Sequence, residues 1–231
     1  MAVNDLVVEE SAIDERAVVS PDTDAKEQAL RALFRELGSV VVAYSGGVDS
    51  SYVAYIANAE LSARALCITG DSPSLAAHQR EQARELAARF QFKHEIIHTK
   101  EMLDARYTAN ASDRCYFCKT ELYDKLVPLA AARGFSVVVD GSTTDDLGDY
   151  RPGRAAAQEH DVRSPLIEVR LSKAEVRALS RRVGLPTWDA PASPCLSSRI
   201  AYGTPVTIAR LRTVETGEEI MRALGFRVFR S

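Results

Sequence analysis

Few folds can take the run Val40-Val41-Val42-Ala43-Tyr44. It is short, β-branched and bounded by glycine (Gly38 before it, Gly46 and Gly47 after), as expected of a strand buried on both faces of a parallel sheet. A helix from about Lys26 to Leu37 precedes it, with Ala29, Leu30, Leu33, Phe34 and Leu37 at helical spacing, and a helix over 48–60 follows. The alternation then repeats: strand Ala65 to Thr69, helix about 75–90, strand Phe92 to Ile97, helix about 116–133, strand Ser136 to Asp140. Strands alternating with helices of this length imply right-handed crossovers and a doubly wound, mainly parallel α/β sheet.

After Asp140 the texture changes. A polar loop runs from Gly141 to Gly153, helical patterns recur near 172–183 and 206–224, and a Pro-rich loop, Pro186 to Pro205, lies between those two. Residues 170–231 carry eleven Lys and Arg against five Asp and Glu, a net of +6, whereas residues 1–25 hold seven acids and one Arg. The expected organisation is a mobile acidic tail over 1–25, a main α/β domain over 26–165 and a smaller α+β region over 166–231 whose positive face receives an anionic ligand. The whole chain of 231 residues is 46% hydrophobic with a net charge of −3, which removes the global basic field of a protein that grips nucleic acid through its phosphates. No apolar run approaches the roughly 20 residues of a membrane span, and no basic segment followed by an apolar stretch opens the chain, so a soluble, unexported, cytoplasmic protein is expected.

Two sets of residues carry the chemistry. The first is Ser45-Gly46-Gly47-Val48-Asp49-Ser50-Ser51, placed where a buried strand turns into a helix. Glycines there allow a tight turn and close approach to a ligand, and the free N–H groups and dipole of the helix start favour an anion. The segment has neither the lysine-bearing ending of a Walker loop nor dinucleotide G-x-G-x-x-G spacing. The second set is Cys115 and Cys118, a C-x-x-C beside Arg114 and Lys119, together with the distant Cys195. A helix start and adjacent cations favour thiolates. Three thiolates can hold three irons of a [4Fe–4S] cluster and leave the fourth iron open. A zinc site and a redox thiol pair are the other readings, although no second C-x-x-C or histidine pair completes a closed zinc site. Cys67, inside an apolar strand, is an inert core residue, and His94 and His98 are read as surface residues.

The loop resembles the SGGxDS signature of the PP-loop ATP pyrophosphatases. The resemblance implies that Ser45, Gly46, Gly47, Asp49 and Ser50 bind ATP through its pyrophosphate and the accompanying magnesium, with Asp49 directed at the metal. Further segments narrow it: Asp71-Ser72-Pro73-Ser74, Arg114-Cys115-Tyr116-Phe117-Cys118-Lys119, the run Gly141-Ser142-Thr143-Thr144-Asp145-Asp146-Leu147-Gly148-Asp149-Tyr150-Arg151-Pro152-Gly153, Ser164-Pro165-Leu166, Cys195-Leu196-Ser197-Ser198-Arg199 and Tyr202-Gly203-Thr204-Pro205. From about residue 26 to the end the chain resembles the LarE-type ATP-dependent sulfur transferases, which mature the nickel-pincer nucleotide cofactor of lactate racemase. That resemblance implies adenylation of a carboxylate of pyridinium-3,5-biscarboxylic acid mononucleotide, then replacement of the activated oxygen by sulfur to give a thiocarboxylate. Such proteins supply sulfur in two ways, either by sacrificing one cysteine at the position of Cys195 or through a [4Fe–4S] cluster on three cysteines. With Cys115, Cys118 and Cys195 all present, the cluster version is expected here. The sulfide donor is not indicated.

By the same resemblance Asp71, Ser72, Gly141, Thr143 and Asp146 line the nucleotide pocket, Ser198, Arg199, Glu219 and Arg230 grip the substrate phosphate and ribose, and the protein is a homo-oligomer such as a hexamer. The chain stops at Arg230-Ser231, just after the strand-like Phe226 to Arg230, where the resembling proteins are expected to continue with basic residues and a closing strand. Either the sequence is shortened or a neighbouring subunit completes the substrate site. Rival readings are a tRNA-thiolating enzyme of the same superfamily, which needs a basic RNA surface the composition does not offer; an amide-forming synthetase that uses ammonia, for which the cysteines are incidental; and a nucleotide-binding or metal-storage module without catalysis.

Overall fold

The computed structural model describes residues 19–148 and 151–226. Residues 1–18 of the expected acidic tail, Asp149 and Tyr150, and the strand-like end from Arg227 on, with Arg230, lie outside the described residues. Helix α1 (Pro21–Leu37) starts before Lys26 because its cap lies upstream. Ser20 accepts a hydrogen bond from Thr23 N at 3.1 Å, Pro21 occupies the first turn, and Asp22 and Asp24 sit at the positive end of the dipole.

From there the chain runs through β1 (Val40–Ala43), α2 (Val48–Leu61), β2 (Ala65–Asp71), α3 (Ala77–Arg89), β3 (His94–His98), α4 (Ala105–Thr108), α5 (Arg114–Ala132) and β4 (Val137–Val139). The helices α6 (Pro152–Glu159), α7 (Pro165–Glu168), α8 (Lys173–Arg182) and α9 (Ile208–Ala223) complete it. All four strands are parallel, in the order β3-β2-β1-β4, with Val40 opposite both Ala65 and Val137. Connections leave β1 toward β2 on one side and reach β4 on the other, so the chain reverses its winding between β1 and β4. In open sheets of this kind, ligands bind at the carboxyl ends of the strands flanking that reversal.

Alternate residues of β1 feed two cores. Val40 and Val42 pack with Leu30, Phe34, Tyr52 and Ile56 of α1 and α2, and Val41 and Ala43 with Tyr123, Leu126 and Ala130 of α5. The first core continues through Leu166, Leu171, Val176, Leu179 and Leu185. The expected boundary between 165 and 166 therefore falls inside one core, because α8 is needed to cover α2. A third, smaller core gathers Ala76, Tyr107, Leu196, Ile200, Val206 and Leu211, with Cys118 packed against it. It joins the Cys195 region to the loop after β2 and to the start of α5. Past β4 the described residues form helices and irregular loops, with a single bridge from Val139 to Arg163, so the strand content expected of the C-terminal region is not found among them.

One placement differs from expectation. His94 is no surface residue: its Nε2 lies 2.9 Å from Thr69 Oγ1, its ring meets Tyr44 edge-on at 5.3 Å, and burial holds its pKa below the ordinary value. His98 is exposed. Cys67 is buried in β2, where burial pushes its thiol up to about 12 and leaves it unreactive at neutral pH.

Helix α8 has a capping box. Ser172 Oγ accepts from Glu175 N, and Glu175 reaches back to Ser172 N at 2.8 Å while also meeting Lys26 Nζ at 2.8 Å. Burial alone would raise the Glu175 carboxyl, but Lys26, Ser172 and Thr23 together pull it down to about 2. A depressed carboxylate stabilises the fold above its unfolded value of 4.5 and loses that contribution as pH falls toward 2. Glu175→Gln is accordingly expected to cost about 1 kcal/mol near neutral pH and to flatten the acid limb of stability between those values, measured by denaturant unfolding across pH.

Candidate active site

The loop between β1 and α2 supplies an anion cradle. Gly47 caps α2 with no side chain over the first turn, so the leading N–H groups face outward. Gly46 has a φ of +73°, and a Cβ there would lie 2.9 Å from Ala83 Cα and Cβ, so the turn packs directly on α3. Ser45 Oγ lies 2.9 Å from Ser50 Oγ and accepts weakly from Gly47 N at 3.4 Å, which holds two hydroxyls at the mouth of the cradle.

The loop after β4 closes the other side. Gly141 is needed there because its Cα faces helix backbone: a Cβ would meet Ser50 N at 2.7 Å, Ser50 Cα at 3.0 Å and the carbonyl carbon of Asp49 at 3.1 Å. None of those atoms can give way. Gly141→Ala is expected to cost about 2–3 kcal/mol, read as a lowered melting temperature. Beyond it Thr143 and Asp146 cap each other, with Thr143 N donating to Asp146 Oδ2 at 2.9 Å, and Asp146 Oδ1 faces Arg151 at 3.3 Å. These residues shape the wall; their side chains are engaged within the loop.

Asp49 is the focus of the cradle. Its Oδ2 is ion-paired with Lys173 Nζ, while its Oδ1 is buried with no hydrogen-bond partner. Burial pushes the carboxyl above its ordinary value, Lys173 opposes this, and the Asp146 carboxylate adds to it. Lys173 opens α8, and its backbone N–H is held by Asp145 Oδ2 at 2.7 Å. Sequence reading missed Lys173. It stands 124 residues from Asp49 in an ordinary amphipathic helix, and only the packing of α8 on α2 brings it to the loop.

Asp71 and Ser72 end β2 on a cleft of about 340 Å³ that also touches Arg80, His98, Thr99 and Glu215. Asp71 pairs with Arg80 at 2.8 Å. Ser72 Oγ donates to Glu101, a carboxylate only 3% exposed whose second oxygen has no partner. The same loop turns toward the cysteines: Ser74 O accepts from Leu196 N at 3.0 Å, and Ser74, Tyr107 and Ser197 hydroxyls form a buried triangle with edges of 2.6, 2.7 and 3.1 Å. Gln79 of α3 donates to Ser193 O at 2.8 Å. The cleft at Asp71 and Ser72 and the Cys195 turn thus share one connecting loop.

Cys115 and Cys118 lie in the first turns of α5. The Cys118 thiol is pushed up, by burial first and then by Glu101, Cys195 and Cys115, with Lys119 opposing. This reverses the expectation that the helix start and flanking cations favour thiolate there. Lys119 turns toward the Tyr123 ring, 5.4 Å away, and Arg114 turns toward Ser197 and Ser198. Cys118 packs against the small core that holds Leu196, the residue after Cys195, although Cys118 and Cys195 are 77 residues apart in sequence. No group of three or more His, Cys, Asp or Glu side chains stands close enough to hold a single metal ion among the described residues. A single zinc ion needs its ligands around one centre.

Of the residues expected to grip substrate, Ser198 lies against Cys195, with Oγ 3.4 Å from Sγ. Arg199 is bound to buried Glu218 at 2.7 Å. Glu219 is exposed on α9; its neighbour Glu218 is the glutamate turned inward, between Arg199 and Arg222. A one-residue step on a helix swings the side chain by over a quarter turn, and sequence spacing alone does not settle which of two adjacent glutamates faces in.

Comparison with known proteins bears on the family and the fold. The asparagine synthase family matches residues 24–188, a span that holds the cradle, Cys115, Cys118 and Lys173. The chain is 49% identical over 203 residues to slr1717 of Synechocystis sp., covering 88% of this chain and 76% of that one. It is 33% identical over 202 residues to the pyridinium-3,5-bisthiocarboxylic acid mononucleotide synthase of Lactiplantibacillus plantarum, covering 87% and 73%. Among solved structures, the NH3-dependent NAD synthetase of Campylobacter jejuni shares the fold, with a TM-score of 0.58 at 21% identity over 88% of this chain and 86% of that one.

Proposed function

This chain belongs to the PP-loop family described by asparagine synthase and, within it, to the LarE-type sulfur transferases, and from that premise we propose that it makes a thiocarboxylate on pyridinium-3,5-biscarboxylic acid mononucleotide at the expense of ATP. It is an enzyme of the ATP-using type. The observation that supports the sulfur-transfer reading is that Leu196, next to Cys195 on an otherwise irregular segment, shares a small core with Cys118.

A carboxylate is a poor acyl donor because its oxygen is a poor leaving group; joined to AMP, the same oxygen leaves readily. The α2 N–H groups, Ser45 and Ser50 bind the pyrophosphate end of ATP, and Lys173 reaches the same point from α8. Asp49, whose buried Oδ1 lacks a protein partner, would hold magnesium, which neutralises charge on the departing pyrophosphate. The cleft at Asp71 and Ser72 takes the nucleoside end. Cys115, Cys118 and Cys195 would hold three irons of a [4Fe–4S] cluster, which when bound supplies sulfide for the activated carboxyl. The loop 71–76, in contact with both sides, sets the adenylated substrate between them.

The test is anaerobic incubation with the mononucleotide and ATP. A product heavier by one oxygen-to-sulfur exchange, formed together with AMP and pyrophosphate, is expected, with about four irons and acid-labile sulfides per chain. ATP cleavage without any sulfur-bearing product overturns the reading.

A further inference from the structure

Residues 190–195 have no regular structure, and Leu196–Arg199 is a single 3-10 turn, so something else must fix Cys195. That anchor is Arg114, the first residue of α5, next to Cys115 and only 2% exposed. Its Nη1 donates to Ser197 O at 2.7 Å and to Asn110 Oδ1 at 2.5 Å, and its Nη2 donates to Ser198 Oγ at 3.1 Å. Asn110, fully buried at a φ of +58°, completes the clasp: its Nδ2 donates to the carbonyls of Ile200, Ala201 and Thr204 at 3.3, 2.9 and 2.8 Å. Tyr202 lies over the guanidinium at 5.9 Å.

Two features separate this from ordinary loop packing. Burying a cation is costly unless it is paired, yet Arg114 is satisfied by neutral acceptors and has no ion-paired carboxylate among the described residues. A neutral amide could bridge carbonyls at lower cost. In addition, Ser198 Oγ receives the guanidinium N–H on a lone pair, which leaves its own O–H to donate, and Cys195 Sγ at 3.4 Å is in place to accept.

We propose that Arg114 is the positioning residue for sulfur transfer, fixing Cys195 relative to Cys118 by holding the Ser197–Ser198 turn and aiming the Cys195 sulfur through the Ser198 hydroxyl. The proposal rests on the reading that these cysteines act together. Arginine is required because its planar fork spans three acceptors at once, which a lysine ammonium on a flexible stem cannot do.

The test uses the full chain, freed of metal and carrying Cys115→Ser, so that Cys118 and Cys195 are the two thiols left in this region. Dibromobimane, which becomes fluorescent on bridging two thiols, reports their proximity. Arg114→Gln is expected to slow bridging about tenfold and, with Cys115 restored and the cluster loaded, to slow thiocarboxylate formation about 100-fold while pyrophosphate release stays within about twofold. Arg114→Lys should fall between, and Ser198→Ala should show a smaller loss in the same direction. Unchanged bridging in a folded Arg114→Gln overturns the proposal, as does a parallel fall in pyrophosphate release. If Arg114→Gln does not fold, unchanged bridging in both Arg114→Lys and Ser198→Ala overturns it. Should the unmodified chain make no thiocarboxylate, the function reading fails, and the bridging comparison still decides the role of Arg114.

Discussion

Cys195→Ala is expected to stop thiocarboxylate formation, a loss of at least about 10³-fold, while pyrophosphate release with the mononucleotide stays within about threefold of the parent. The division follows from the layout. On the proposed reading ATP binds at the β1–α2 loop, and the Cys195 turn is hydrogen-bonded to the loop after β2 through Leu196 and to Gln79 of α3 through Ser193. Ser74, Tyr107 and Ser197 anchor that turn by backbone and hydroxyl groups that the alanine leaves in place. The sulfur itself is only partly exposed and makes one close polar contact, to Ser198, so its removal opens little space in the core. Adenylation lost to the same degree as thiolation would show that the two half-reactions share Cys195 and would refute the division. Cys118→Ser extends the comparison. With a cluster it should lose iron and repeated turnover together; if Cys195 is sacrificed instead, one equivalent of product per chain survives.

The sheet and the cradle were legible because their signals are local. Three valines in a row, then Ser-Gly-Gly with an aspartate in the first turn of the next helix, determine strand, turn and helix start within a dozen positions. The cysteine spacing was visible in the sequence, but the electrostatics around Cys118 were not. The helix start and two flanking cations argued for thiolate at Cys118, yet burial and Glu101 push the thiol up, because both cations have other engagements. Long-range pairings carried no signal. Lys173 meets Asp49, Glu218 rather than Glu219 meets Arg199, and Arg114 with Asn110 clasps residues 197–204. In each case the residue type is common and the partner lies on another element, so packing alone makes the match. Arg114 looked like a charge flanking a C-x-x-C, while its burial and three acceptors reveal a structural anchor.

Asp49→Asn is expected to reduce pyrophosphate release about 10²–10³-fold and to raise the magnesium concentration needed for half-maximal rate about tenfold. The amide keeps the size of the side chain, so the cradle should survive: Gly46 still packs on Ala83, and Gly141 still lies against the Asp49–Ser50 backbone. What changes is charge. Oδ1 is buried without a protein partner, and an amide there would offer a hard cation far less than a carboxylate does. Lys173 loses its ion-pair partner at the same time and becomes freer to contact phosphate, which limits the loss. Lys173→Met separates the two effects. It should slow pyrophosphate release about 10²-fold with little change in the magnesium requirement, because the cation it removes acts on phosphate, while Asp49, freed of its counter-ion, still binds metal. The acid side of the rate profile gives a further reading. Burial raises the Asp49 carboxyl, so the metal-binding anion is lost on acidification at a pH above the ordinary carboxylate range, and the asparagine variant should lack that step. An Asp49→Asn rate equal to the parent's at limiting magnesium would remove Asp49 from the metal site and leave Lys173 as the residue through which the loop acts on ATP.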